Sequence, residues 1–321
     1  MKKYRKLIVA VLLVCLFIFG FVKPVYGWNS HGLTLSYVLQ NVSWLTKYSN
    51  ITITEYSYKD IDTVPINPNF QIKYLDGKIG GKTTAVAILT AYADEPDWDM
   101  DTNLNLSKLQ ILTGGSQGWR HQYYGLGLIR LGVGPERAQY WFDLAKKAHD
   151  KGDDYWMFRF LARGLHQIED LTCPYHTIPV PTGVIFKNIT KLSKLITMGK
   201  NHHYNMEEYQ GQQIMLKNPN WINCLVKEPL LDVKVESIEW LGKYAATFGR
   251  RDVKTLWSLE DKFFGPSISG NKEWYYNKST VGIALQGSLQ ARYDEAILKA
   301  LSRFSSFSQA FLNYARDNLG L

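Results

Sequence analysis

An all-α fold, built as a single multi-helix domain, is what this sequence predicts, and three observations predict it. Between Pro135 and about Lys151, Ala138, Trp141, Phe142, Leu144, Ala145 and Ala148 recur on one helical face. The next segment, from about Asp153 to Leu171, carries Trp156, Phe158, Phe160, Leu161 and Leu165, too densely apolar for a surface helix and therefore central. Segments near 195–217, 233–248 and 280–318 also read as helices, and no internal repeat or low-complexity linker divides the chain.

Residues 1–27 read as a secretory signal peptide. Lys2, Lys3, Arg5 and Lys6 form a positive head, Leu7 to Val22 is an apolar run, and Val25-Tyr26-Gly27 offers a cleavage site before Trp28. The expected mature domain is 28–321, secreted and extracytoplasmic. No later segment is long and apolar enough to span a bilayer. Sequons at Asn41, Asn50, Asn105, Asn188 and Asn277 are compatible with that compartment.

Cleavage alters the charge argument. Lys2, Lys3, Arg5, Lys6 and Lys23 leave with the signal and no acid does, so the net charge of +8 becomes +3. No basic run in the mature chain forms a nucleic-acid stripe. Two cysteines remain, Cys173 and Cys224, as one disulfide or two free thiols. A disulfide scaffold is excluded, because a chain this long and aromatic can bury a large core without staples.

Taken in order, 47–80 mixes Thr, Ile, Tyr, Pro and Gly without helical period and reads as a long irregular loop or a small hairpin. Thr83–Ala93 is helix-like. Pro135 in the first turn and Gly152 just past the end bracket the next helix. Pro174, Pro179 and Pro181 break the chain after the central one.

Metal-ligating residue types are concentrated along this frame. Of seven histidines, five fall in the series His31, His121, His166, His176 and His203. His166 and Asp170 stand four apart on the central helix, so both project from one face and can grip one cation. His176 follows Pro174, where the chain turns back towards the same cavity. His203 and Glu207 repeat the four-residue spacing. After cleavage, Trp28 exposes an α-amine of pKa ~7.7–8.0, which with its own carbonyl makes a five-membered chelate near His31. Asp94 precedes the Pro96 turn and is the favoured carboxylate there, with Asp97, Asp99 and Asp101 competing for the role.

The Asn29-Ser30-His31 start, Tyr92-Ala93-Asp94 and Leu165-His166-x3-Asp170-x5-His176 resemble the zinc-dependent phospholipase C family, which shares its fold with the S1/P1-type nucleases. The resemblance implies three zinc ions in an all-helical domain. Asp94, His121, His166 and Asp170 hold one; the Trp28 amine and carbonyl, His31 and Asp170 hold a second; His176, His203 and Glu207 hold the third. A donor set of nitrogen and oxygen with open positions suits catalytic zinc. Water held on zinc has a pKa near ~7 and can attack phosphorus at neutral pH. Asp94 orients it or accepts its proton.

The resulting expectation is a secreted phospholipase C that releases diacylglycerol and a phosphorylated headgroup. Its partners are a phospholipid or other phosphodiester and, transiently, a membrane surface, with no obligate protein partner. Glu207 is the phospholipase form of a position that is Asp in the nucleases. The short spacer of Asn29 and Ser30 before His31 is nearer the nuclease form, and Glu95 stands where choline-preferring members carry an aromatic. An S1/P1-type single-strand nuclease, taking nucleic acid, is the alternative, followed by a non-catalytic zinc- or lipid-binding protein.

Overall fold

The computed structural model describes residues 30–126, 129–188, 190–276 and 287–321. The signal segment, Trp28, Asn29, the Asn277 sequon and the start of the 280–318 segment lie outside the described residues. What is described is a single all-α domain with two minor β hairpins. Its helices are α1 (His31–Val38), α2 (Ala85–Tyr92), α3 (Ser116–His121), α4 (Gly134–Asp150) and α5 (Asp154–Thr172). They continue as α6 (Thr182–Lys187), α7 (Leu192–Met215), α8 (Pro219–Val226), α9 (Ile238–Phe263) and α10 (Ser288–Leu319).

α5 is the central helix, as its apolar density predicts: every residue from Tyr155 to Thr172 is buried. α2, α4, α9 and α10 all pack against it. Close approach of α10 depends on Gly164, where an added Cβ would stand 2.8 Å from the Phe311 ring. A helix buried on all sides must satisfy its own charges internally. Arg159 and Arg163 do so through Glu95, whose Oε2 accepts from Arg159 Nε at 3.1 Å and from Arg163 Nε at 2.7 Å. Three further polar residues of α5 (His166, Glu169 and Asp170) face the site described below.

The turn between α4 and α5 follows the expected signals. Gly152 adopts φ +70°, a left-handed conformation that only glycine takes cheaply. Asp153 then caps α5, its carboxylate accepting the Trp156 amide at 3.2 Å. The irregular 47–80 stretch is closed at its ends by strands β1 (Ile51–Thr52) and β2 (Lys82–Thr83), paired antiparallel. It is anchored to the start of α5: Thr54 and Tyr58 donate to Asp153 at 2.7 and 2.8 Å, and Trp156 Nε1 donates to Thr54 O at 3.1 Å.

A second hairpin, β3 (Tyr124–Leu126) with β4 (Ile129–Leu131), follows α3 and was not foreseen from sequence. Its backbone reaches the segment beyond Pro174, with Tyr123 N–H donating to His176 O and Gly125 N–H to Thr177 O, both at 3.0 Å. Cys173 is buried and Cys224 partly buried, and both are free thiols, so the disulfide alternative falls. Among the described residues no helix is long and apolar enough to cross a membrane.

Candidate metal centre

α5 supplies the middle of the site. One helical turn separates His166 from Asp170, and their facing atoms, Nε2 and Oδ2, lie 3.2 Å apart. His166 Nδ1 lies 2.8 Å from Ala93 O. A carbonyl can only accept, so Nδ1 carries the ring proton and Nε2 presents a lone pair.

His121, the last residue of α3, shows the same division. Its Nε2 stands 3.2 Å from Asp101 Oδ2, a carboxylate that also pairs with Arg120. Its Nδ1 points at Asp170 Oδ2 at 2.9 Å and at His166 Nε2 at 3.0 Å. Two imidazole nitrogens and a carboxylate oxygen meeting this closely, all buried, need a proton or a metal cation among them.

Two further histidines repeat the arrangement. His31 Nδ1 donates to Glu169 Oε2 at 2.8 Å, and its Nε2 faces Asp170 Oδ1 at 3.4 Å. Ser308 holds the other Glu169 oxygen at 3.0 Å. His176 Nδ1 donates to His121 O at 3.2 Å while Nε2 turns towards Glu207 Oε1 at 3.9 Å. On α7, His203 Nε2 and Glu207 Oε1 are 2.5 Å apart. Metal-ligating histidines are held in this way, with one ring nitrogen donating to a carboxylate or carbonyl and the other left to the ion.

The buried atoms without a hydrogen-bond partner include His31 Nε2, Asp170 Oδ1, His176 Nε2 and His203 Nε2. All four belong to the site, where metal coordination is one way such buried atoms are satisfied. Three groups bring ligand atoms within 4.8 Å of one another: His31, His166 and Asp170; Asp97, His121 and His166; and Cys173, His176, His203 and Glu207. These groups are compatible with metal coordination.

Asp94, the carboxylate favoured from sequence, is not among them, whereas its competitor Asp97 is. Asp94 Oδ2 accepts the Gly32 amide at 3.1 Å and so ties down the start of α1. The turn Glu95–Asp97 is a 3₁₀ helix, which carries Asp97 one turn further to stand 3.5 Å from His121 Nδ1 and 3.7 Å from His166 Nε2. Asp99 is exposed and Asp101 backs His121. Trp28, proposed as a terminal ligand, lies outside the described residues.

Sequence reasoning also missed Glu169 and the place of Cys173 beside the site, and it had Asp101 only as a competitor for the role of Asp94. A signal for Glu169 existed, since a carboxylate within a helix as apolar as α5 must have a buried partner. Asp101 carried no signal beyond its neighbourhood.

Burial works against charge on His121, but hydrogen bonds accepted by Asp101 and Asp170, with the Asp97 charge, push it up to about 10. His31 is likewise raised against burial, through Asp170 and Glu169. Burial dominates in the other half of the site, lowering His176 and His203 and raising Glu207, whose neighbours Asp170 and Asp97 add to the effect. Protons crowd the Asp170 side, and a cation there would have to displace them.

No protein-family model matches the chain. No curated protein matches it either. Among solved structures, the alpha toxin from Clostridium absonum is similar at 13% identity with a TM-score of 0.38, covering 74% of this chain and 56% of that one. The chain thus spans a little over half of that toxin's length.

Proposed function

We propose that this chain is a secreted, zinc-dependent phosphodiester hydrolase of the phospholipase C type, cleaving glycerophospholipid to diacylglycerol and a phosphorylated headgroup. One observation carries the reading. His31, His121, His166 and His176 each have one ring nitrogen against a carboxylate or carbonyl and aim the other at Asp170 or Glu207. Core histidines have no need of that arrangement, and metal ligands do.

In this reading Asp97, His121, His166 and Asp170 hold one zinc. His31 and Asp170, with the amine and carbonyl of Trp28 after signal cleavage, hold a second. His176, His203 and Glu207 hold the third. Bound zinc contributes Lewis acidity, which lowers the pKa of a water and offsets charge on the phosphoryl oxygens.

The chain's own groups divide the remaining work. Glu169, Asp101 and the Ala93 carbonyl orient the imidazoles. Asp97 takes the proton-accepting role first assigned to Asp94. Its side chain is 10% exposed where that of Asp170 is 0%, so it can reach an attacking water. Taking Asp97 as the carboxylate also removes the departure at Glu95, since Trp98 then follows as the aromatic. Glu207 favours phospholipid over nucleic acid, as does the lack of a basic track in the mature chain. A transient membrane-surface encounter fits a lipid substrate, and no obligate protein partner is implied.

The test is mature protein beginning at Trp28, offered phospholipid vesicles and single-stranded DNA with and without chelator. Diacylglycerol release that chelation abolishes and zinc restores is the expected result. Hydrolysis of nucleic acid alone would overturn the phospholipase assignment. Lipid binding without phosphate-ester cleavage, unaffected by chelator, would reduce the protein to a surface binder.

A further inference from the structure

Cys173 sits where α5 ends. The backbone there leaves the helix for an extended conformation at φ −68° and ψ 124°, and Pro174–His176 forms a 3₁₀ turn immediately after. The thiol is buried, and it faces polar groups. Its Sγ lies 3.8 Å from Glu207 Oε1, within the group completed by His176 and His203. His176 Nε2 and His203 Nε2 make no hydrogen bond, although His203 Nε2 stands 2.5 Å from Glu207 Oε1. Two imidazole nitrogens, a carboxylate oxygen and a sulfur therefore share one buried space.

We propose that Cys173 supplies a sulfur ligand to this position, so that Cys173, His176, His203 and Glu207 form a closed four-donor zinc site. The proposal rests on the metal-centre reading above and replaces its expected nitrogen-and-oxygen set with a mixed set that includes sulfur. Four protein ligands are what a structural zinc uses, whereas catalytic zinc keeps a position open. The third cation then anchors the end of α5 to α7, and substrate chemistry is left to the two positions that share Asp170. As the metal–sulfur bond forms, the S–H bond breaks and its proton passes to solvent. A thiolate also biases the position towards zinc and softer ions and away from magnesium or calcium.

Cobalt(II) alone, titrated into the metal-free protein, tests this by spectroscopy. Expected are cobalt uptake and a sulfur-to-cobalt charge-transfer band, present in Cys224→Ser and lost in both Cys173→Ser and Cys173→Ala. Cobalt uptake without that band, or a band that survives in Cys173→Ala, would overturn the sulfur ligand and leave the metal-centre reading standing. A chain that takes up no cobalt would overturn both. Should the Cys173 variants fail to fold, X-ray absorption on the zinc-loaded wild-type and Cys224→Ser proteins decides. A sulfur neighbour at about 2.3 Å supports the ligand, and its absence overturns it.

Discussion

Glu169 and Asp101 do similar work for different histidines, and the difference in their surroundings separates what their loss should do. Glu169 accepts from His31 and Ser308. Glu169→Gln keeps the shape and removes the charge that orients the imidazole, so zinc affinity should fall about 10–100-fold with the fold retained. Calorimetric titration with zinc, beside a thermal melt of the metal-free variant, measures both. Asp101 also pairs with Arg120 and approaches Arg137 at 3.5 Å. Asp101→Asn strands buried charge and should cost about 3–5 kcal/mol of stability as well as metal, which denaturant unfolding would detect. Protonation follows the same geometry. In the metal-free chain His121 is raised from 6.5 to about 10, burial being outweighed by Asp101 and Asp170. Its contribution to stability is thus complete below 6.5 and disappears as pH rises through about 10. Zinc needs the deprotonated ring, so uptake should strengthen with pH and release protons, and a binding titration in two buffers of different ionisation enthalpy would count them. Affinity independent of pH would contradict this. The facing pairs His166–Asp170 and His203–Glu207 were legible in the sequence because four-residue spacing on a helix fixes direction. The choice between Asp94 and Asp97 was not, because it depends on a single 3₁₀ turn whose course no periodicity announces.

At the scale of elements, α1 is held against α2 so closely that no side chain fits between them. A Cβ on Gly32 would meet Thr90 O at 2.2 Å, and the Gly32 amide is the donor that Asp94 holds. Gly32→Ala should cost about 1–3 kcal/mol by overpacking. It should also displace the neighbouring His31 and lower bound zinc by one equivalent. Elemental analysis after gel filtration checks this, and full metal content in a folded variant would contradict it. α4 and α5 were readable because an apolar face repeated over several turns is a strong signal, and the start of α5 was readable from Gly152 and Asp153; α9, expected near 233–248, instead runs Ile238–Phe263. The β3–β4 hairpin was not, because its strands are three residues each and too short to carry a period. That hairpin bears on the site nonetheless, since Gly125 within it holds the carbonyl of Thr177 and Tyr123 just before it holds that of His176. α8 escaped notice for a similar reason, being only eight residues long.

For the whole molecule, the three groups gather residues from α1, the turn after α2, α3, α5, the turn after α5 and α7, regions spread along the chain. Cations bound there would cross-link those segments in the folded state and have no counterpart in the unfolded one. At zinc concentrations about 1,000 times the dissociation constant, each such site adds about 4 kcal/mol. Chelation should therefore lower the melting temperature by several degrees, read by scanning calorimetry with and without chelator. An unchanged melt would leave the residues as a self-sufficient polar core. The fold class and the central place of α5 followed from patterning over the whole chain. Secretion and the role of Trp28 depend on processing that no packed core records.

Crystals of zinc-loaded mature protein, measured on either side of the zinc absorption edge, test the convergence of these side chains most directly. Anomalous peaks are expected between His121 Nδ1 and His166 Nε2, beside His31 Nε2 and Asp170, and among His176, His203 and Glu207. Zinc-soaked crystals in which those nitrogens bond only to protein or water, with no peak among them, would contradict it.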